Sequence, residues 1–534
     1  MKAFAALLDR LLYTPSRNGK LRLLADYFRN TPDPDRGWAL AALTGGLSFP
    51  NAKAGAIRDL ARERTDEVLF ALSYDYVGDL AETTALLWEA DGEAEPPALS
   101  AVVETLRRAG KTEVRGLIAG WLDGLDATGR WALLKLITGG MRIGVSARLT
   151  RVALAQAFDE PVEEIEELWH GVSAPYSDLF AWLVDGADKP DVSNRPTFRP
   201  FMLAHPIDDD AVLDPADWFV EWKWDGIRVQ LVSRGGERRL YSRTGDDISG
   251  AFPDLLEAMT FDGVLDGELL VRDLAAAHDE SGAGDPASFN ALQQRLNRKT
   301  VSKKILAAHP AYVIAYDILF DGAEDLRGLQ LAERRPRLEQ FVAMHDHRDV
   351  ELSEIMRASD WDSIAVLQAE ARHLGREGLM LKRQDSVYEP GRKTGLWYKW
   401  KRDPLLADAV LMYAQRGHGR RSSFYSDFTF GVWRPVEGEG EPELVPVGKA
   451  YFGFTDEELA QLDKWVRNNT LNRFGPVRDV EKQLVFEVAF DSIHASKRHK
   501  SGLAMRFPRI SRIRWDKPAE EADVIETLQA LADG

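Results

Sequence analysis

The sequence predicts a multidomain chain: an all-α N-terminal region, a mixed α+β middle and a small C-terminal β-barrel. Three observations carry this. The chain has 534 residues, more than one ordinary hydrophobic core supports, so two or more domains are expected. Four prolines, Pro190, Pro196, Pro200 and Pro206, interrupt it in one short stretch. The apolar pattern changes across that stretch, from helix spacing to strand alternation.

In the first region Phe4, Leu7, Leu8, Leu11 and Leu12 recur at helix spacing and predict one apolar stripe. The acidic run 159–167 predicts a solvated helix start, because carboxylates suit a helix N-terminus. Proline favours extended chain and stops helices, so 189–206 predicts a linker. From about residue 217, β-rich runs at 218–224, 229–233, 264–271, 312–320, 378–382 and 396–400 share the chain with helical patterns at 331–344 and 361–374. The small, polar segment 275–285 reads as a loop. After Asp403-Pro404, strands are expected at 409–414, 424–433, 444–447 and 484–490, with one helix starting at Thr455, where Glu458 completes a capping-box spacing. Several strands around a single helix predict a barrel of the OB type.

Composition removes whole classes of function. Cysteine is absent, which excludes a disulfide framework, a cysteine zinc ribbon, an iron–sulfur cluster and a thiol nucleophile. The net charge of −17 excludes a bulk basic coat for nucleic acid but permits local basic grooves. Asp9 and Arg10 cut short the apolar start, and no charge-free run approaches the ~20 residues of a membrane span. The expectation is a soluble, cytoplasmic protein.

The sequence contains no G-x-x-x-x-G-K-[ST], no H-E-x-x-H and no G-x-S-x-G. Its most informative segment is Glu221-Trp222-Lys223-Trp224-Asp225-Gly226-Ile227-Arg228. Strand alternation places Glu221, Lys223 and Asp225 on one face and the tryptophans on the other. A lysine is a nucleophile only when neutral, which requires desolvation or nearby positive charge. Read alone, the segment fits a solvated strand of alternating charge equally well. In Leu265-Asp266-Gly267-Glu268 both carboxylates project to the same side, where one is able to accept from ribose hydroxyls. Tyr316 follows an apolar run and suits either base stacking or a core. Lys399 and Lys401 share a strand face, which an intervening anion or an exposed edge would accommodate. Two basic islands stand out on this acidic chain: 376–402 has eight Lys/Arg against three Asp/Glu, and 494–517 has eight against one. They predict phosphate tracks, and the loop Arg416–Arg421 adds a third basic element.

In this order the segments resemble the nucleotidyltransferase motifs of ATP-dependent DNA ligases. Lys223-Trp-Asp225-Gly226-Ile-Arg228 is similar to the family's K-x-D-G-x-R motif. Ser242-Arg243-Thr244-Gly245 resembles its second element. Leu265–Glu268, Tyr316-Asp317, Glu377-Gly378…Lys382 and Lys399-Trp400-Lys401 resemble the next four, and Arg506-Phe507-Pro508-Arg509 the terminal barrel motif. The helical region is similar to the DNA-binding domain of three-domain, bacterial repair-type ligases, with Met141–Val145 resembling a segment found there.

The resemblance implies four segments: a DNA-binding domain (1–188), a linker (189–206), an adenylation domain (207–403) and an OB-fold domain (404–534). It implies an enzyme that seals 5′-phosphate/3′-hydroxyl nicks in double-stranded DNA with ATP and magnesium (Mg2+, or Mn2+); the sequence leaves the oligomeric state open, with a monomer as the default expectation. Lys223 would be the nucleophile that takes up AMP. Glu221 would accept from the adenine amino group, Tyr316 would stack on adenine, and Glu268 would bind ribose. Arg228 and Arg243 would contact ribose or phosphate, Lys399 and Lys401 the α-phosphate, and Lys382 a phosphate. Glu377 and Glu268 would hold the metal. Arg142, Arg420, Arg421, Arg506 and Arg509 would serve DNA binding or domain closure, whereas Arg148 and Arg151 read as ordinary helix-surface charge. Asp403-Pro404 and the linker are the expected hinges. The competing readings are an RNA ligase or capping guanylyltransferase, which the large helical region disfavours; an NAD-dependent ligase, disfavoured by the missing cysteines; and a non-catalytic nucleic-acid-binding scaffold.

Overall fold

The computed structural model describes residues 1–534 except 91–94, 209–212, 273–288, 297, 299, 346–348, 359, 417–423, 437–439, 497–498 and 534. The expected loop 275–285 and the basic loop that includes Arg420 and Arg421 therefore lie outside the described residues. The rest falls into two compact units, 1–364 with 379–400, and 365–378 with 401–534. Among the described residues no helix is long and apolar enough to cross a membrane.

The first unit opens with twelve α-helices between Lys2 and Asp185. Helix Lys2–Leu12 buries Phe4, Leu7, Leu8 and Leu11, the predicted stripe, but leaves Leu12 exposed. Side chains of Ser16, Asp66, Asp79, Asp126 and Ser146 accept from backbone N–H groups at helix starts, satisfying donors that lack an intrahelical partner. The acidic run does begin a helix, Val162–Leu168, yet it is not wholly solvated. Glu166 is buried, with Arg148 at 3.1 Å and Arg151 at 3.8 Å. Those two arginines bind their own domain's carboxylate.

The stretch read as a linker ends differently from expectation. Met202–Leu203 pairs with Gly391–Arg392, and His205–Pro206 pairs with Trp397–Lys401. Two sheets follow. One has the order Ile355–Met356, Trp218–Lys223, Gly378–Arg383, Trp397–Lys401, His205–Pro206; the other runs Glu237–Ser242, Ile227–Arg234, Gly263–Val271, Ala311–Asp321, Glu324–Asp325. The strand Val350–Leu352 adds to the second sheet in parallel. Each predicted β-run lies within or against one of these strands; Glu237–Ser242 was not foreseen. Val229, Leu231, Leu265, Leu269, Val313 and Ile318 fill the core of the second sheet.

In the second unit the twelve-residue strand Leu405–Arg416 organises a barrel-type sheet. Its first half pairs with Val485–Phe490 and its second half with Val477–Val480, while the other edge takes Tyr425–Arg434. One strand thus serves different partners along its length, which curls the sheet. The helix expected at Thr455 is Asp456–Asn468, with the capping box formed by Thr455 and Glu458. A second helix, Ile525–Asp533, was not expected, nor were strands Thr470–Phe474, Val477–Val480, Ser492–Ala495, Leu503–Arg506 and Arg509–Arg514.

Candidate active site

Lys223 is the last residue of strand Trp218–Lys223 and is half-buried. Trp224-Asp225-Gly226 then turns the chain into strand Ile227–Arg234. Only glycine fits this turn: a Cβ at Gly226 would stand 2.5 Å from the Leu269 carbonyl oxygen. The same holds at Gly267, where a Cβ would lie 2.7 Å from the Ile314 oxygen. Both motif glycines therefore let adjacent strands approach closely. Trp224 packs against Leu270, Tyr312 and Ile314, and Trp222 is half-buried.

The strands that follow the lysine in sequence carry a buried polar platform. Antiparallel register sets Arg228 opposite Glu268 and Gln230 opposite Asp266. Arg228 donates to both carboxylate oxygens of the buried Asp266, at 3.0 and 2.6 Å, and Tyr388 Oη donates to the second oxygen at 2.7 Å. Burial opposes the Arg228 charge, but Asp266 beside it more than offsets this and raises its pKa further. Burial also drives the Tyr316 and Tyr388 phenols well above their ordinary pKa, so both stay protonated. Asp317, one residue after Tyr316, is wholly buried and bound in two places by Arg334, each at 2.8 Å. Arg334 also donates to the Leu329 and Ser386 carbonyl oxygens. Asp317 thus acts on the scaffold.

Two expected roles change. Lys382 was assigned to a phosphate, but only 1% of it is exposed. Its Nζ lies 2.9 Å from Glu221, 4.1 Å from the centre of the Tyr316 ring and 4.8 Å from that of Trp397. A buried ammonium needs a counterion and gains from aromatic faces, and here it has both. Lys382 thus stands beside Glu221 and Tyr316, the two residues expected to read the base. Arg228, assigned to ribose or phosphate, spends its fork on Asp266. Arg243 is exposed on the turn Ser242–Gly245, whose Gly245 has φ of 82°. Glu268 and Lys399 are half-buried.

Glu377 precedes strand Gly378–Arg383, and Gly378 has φ of 136°. Strand parity therefore does not govern Glu377 relative to Lys382. In the second unit Glu377 lies 3.6 Å from Lys401 and 4.0 Å from Arg506. Asp491, missed by sequence reasoning, joins this lattice with Lys401 at 3.6 Å and Arg509 at 3.1 Å. Its signal was slight: one carboxylate just ahead of the basic tract 494–517. Tyr388 and Arg334 carried no motif signal at all. In the helical region Arg142 is exposed with φ of 49°. Its loop is fastened by Lys20, whose Nζ donates to the Ile143 oxygen at 2.6 Å and the Gly144 oxygen at 3.0 Å.

The chain is similar to known proteins over most of its length. Residues 201–401 match the model of the ATP dependent DNA ligase domain, and residues 421–517 match that of the ATP dependent DNA ligase C terminal region. The "DNA ligase 1" of Korarchaeum cryptofilum is 31% identical over 554 residues, covering 99% of this chain and 98% of the relative. The "Probable DNA ligase" of Koribacter versatilis is 35% identical over 428 residues, 75% of this chain and 71% of the relative. The solved structure titled "Pmar-Lig_PreS3" has a TM-score of 0.57 at 16% identity, covering 96% of this chain and 99% of that one, a likeness of fold. With helical, nucleotidyltransferase and OB-type regions in that order, the chain belongs to the ATP-dependent DNA ligase family, enzymes whose known activity is nick sealing.

Proposed function

We propose that this chain seals nicks in duplex DNA through a covalent AMP on Lys223. The observation that carries the reading is Lys223 at a strand end, ahead of a glycine turn braced by the neighbouring strand. The neutral Lys223 Nζ attacks the α-phosphorus of ATP; the P–N bond forms as the bond to pyrophosphate breaks. A 5′-phosphate oxygen at the nick then takes the AMP from the lysine. The 3′-hydroxyl finally attacks the phosphorus of that DNA 5′-phosphate; the new P–O bond forms as the bond to AMP breaks, which leaves a phosphodiester.

Glu221 and Tyr316 hold adenine, with Lys382 as the counterion that fixes the Glu221 carboxylate. Glu268 takes the ribose, and Arg228, clamped by Asp266, forms the floor beneath it. Arg243 and Lys399 meet phosphate oxygens, Lys401 assists at the α-phosphate, and Arg506 and Arg509 favour departure of pyrophosphate. Such fixed cations stabilise charge that grows on the phosphoryl oxygens. Among the described residues no group of three or more His, Asp or Glu side chains is set to hold a metal. Magnesium ordinarily takes one or two carboxylates with phosphate oxygens and water, and Glu268 and Glu377 each offer it a carboxylate. Bound there, it would neutralise phosphate charge.

The proposed domains are 1–188, 207–403 and 404–534, joined by 189–206; we take the working form to be a cytoplasmic monomer. A nick-sealing gel with ATP, dATP, GTP or NAD supplied separately tests the reading. ATP should support sealing and GTP or NAD should not, and Lys223→Ala should abolish it while DNA still binds. Sealing by Lys223→Ala would refute the mechanism; an adduct from GTP alone would favour a capping enzyme.

A further inference from the structure

The helical region presents a face that suits neither DNA nor the site described above. Residues 65–95 contain nine Asp/Glu and no Lys or Arg. Helices Glu67–Val77 and Leu80–Leu87 lie in this segment, joined at Gly78 with φ of 72°. Helix spacing puts Val68 and Leu72 on one stripe, with Leu69 beside them. Val68, Leu72 and Leu86 are each 65% exposed and Leu69 is 50% exposed. Single exposed leucines are ordinary, but several on two neighbouring helices mark an interaction surface. A cleft of about 300 Å³ runs between the helices, lined by Leu72, Ser73, Val77, Thr83, Leu86 and Leu87.

The charges around this cleft select its occupant. Glu67, Glu82 and Glu89 are exposed, and Glu82 stands one helical turn before Leu86. Arg62 on the preceding helix lies 3.8 Å from Glu67, and the buried Lys135 pairs with Asp79 at 2.5 Å. Asp66 and Asp79 are engaged as helix caps. A polyanion such as DNA is repelled here, and a second copy would set like charges against each other. An apolar groove with an acidic rim fits an amphipathic helix with apolar residues on one side and Lys or Arg on the other. We propose that the outer face of helices Glu67–Val77 and Leu80–Leu87 docks a basic, amphipathic segment of a partner protein.

The test uses the full chain and a synthetic ~18-residue Leu/Lys peptide with leucines at i, i+3, i+4 and i+7, long enough to form helix when bound. Controls are the scrambled peptide and a version with Glu in place of Lys. The Leu/Lys helix should bind and protect the amides of 67–87 from exchange, and its affinity should fall with salt. Leu72→Ser with Leu86→Ser should weaken binding about tenfold. Glu67→Lys with Glu82→Lys should weaken it by about fivefold or more and flatten the salt dependence. Nick sealing should be unchanged in both double variants, which also shows that they fold. The proposal is overturned if both double variants bind the peptide as the parent does, or if the scrambled or Glu peptide binds equally. It also fails if nicked DNA protects 67–87, or if the serine pair instead abolishes self-association of the chain.

Discussion

Around the motif residues, the two units handle charge in opposite ways. In the first, the ion pairs made by motif residues are buried and tightly made: Arg334–Asp317 with both side chains fully covered, Arg228–Asp266 with the acid fully covered, and Glu221–Lys382 at 2.9 Å. In the second, Glu377, Lys401, Asp491 and Arg509 meet at 3.1 to 3.6 Å with side chains 18% to 46% exposed. Buried pairs cannot change partner without stranding a charge, whereas half-exposed pairs exchange partners at little cost. The first set suits a rigid platform for a nucleotide; the second suits cations that leave a carboxylate for a phosphate.

The largest expected effect lies in the platform. Arg334→Met leaves Asp317 charged and buried, and should destabilise the chain by ~3–5 kcal/mol, read as a lowered thermal midpoint. Adding Asp317→Leu should recover much of that loss. If Arg334→Met is silent, the platform is not held by its ion pairs.

His170 should give the next largest effect, through pH. It is packed against Phe198 and Tyr241, and burial, reinforced by Arg151 and only partly opposed by Asp247 and Asp246, lowers its pKa from 6.5 to about 4. The folded state therefore disfavours the imidazolium. Stability is full above pH 6.5, is lost as the pH falls toward 4, and amounts to up to about 3 kcal/mol. His170→Gln should flatten stability across that window in acid-titrated denaturation; an unchanged slope would contradict it.

Tyr388→Phe removes one buried donor to Asp266 and should cost about 1 kcal/mol, with ATP-dependent adenylation slowed and DNA affinity unaltered. The smallest effect belongs to the second unit. Asp491→Asn should change stability by under about 1 kcal/mol and leave Lys401 and Arg509 freer for phosphates, so DNA binding should tighten at low salt. A stability loss matching that of Arg334→Met would erase the contrast between the units.

Strands such as Gly263–Val271 and Ala311–Asp321 were legible because long apolar runs that bury both faces leave a plain signal. The edge strand Glu237–Ser242 was not, since its Glu-Arg-Arg start carries no apolar alternation. Thr470–Phe474 is mostly exposed, so burial left no pattern in its residues. The motif residues were legible as a set, but their partners were not. Nothing local marks Arg334 or Tyr388, which reach Asp317 and Asp266 across long stretches of chain. The resemblance gave Lys382 a phosphate role; its pairing with Glu221, 161 residues earlier in sequence, depends on the sheet that sets their strands side by side.

The central claim rests on Lys223 and is tested most directly by intact-protein and peptide mass spectrometry after incubation with ATP and magnesium. The account predicts one added AMP, mapped to Lys223, lost on adding pyrophosphate or nicked DNA and absent in Lys223→Ala. No adduct, or an adduct on another side chain, would contradict it.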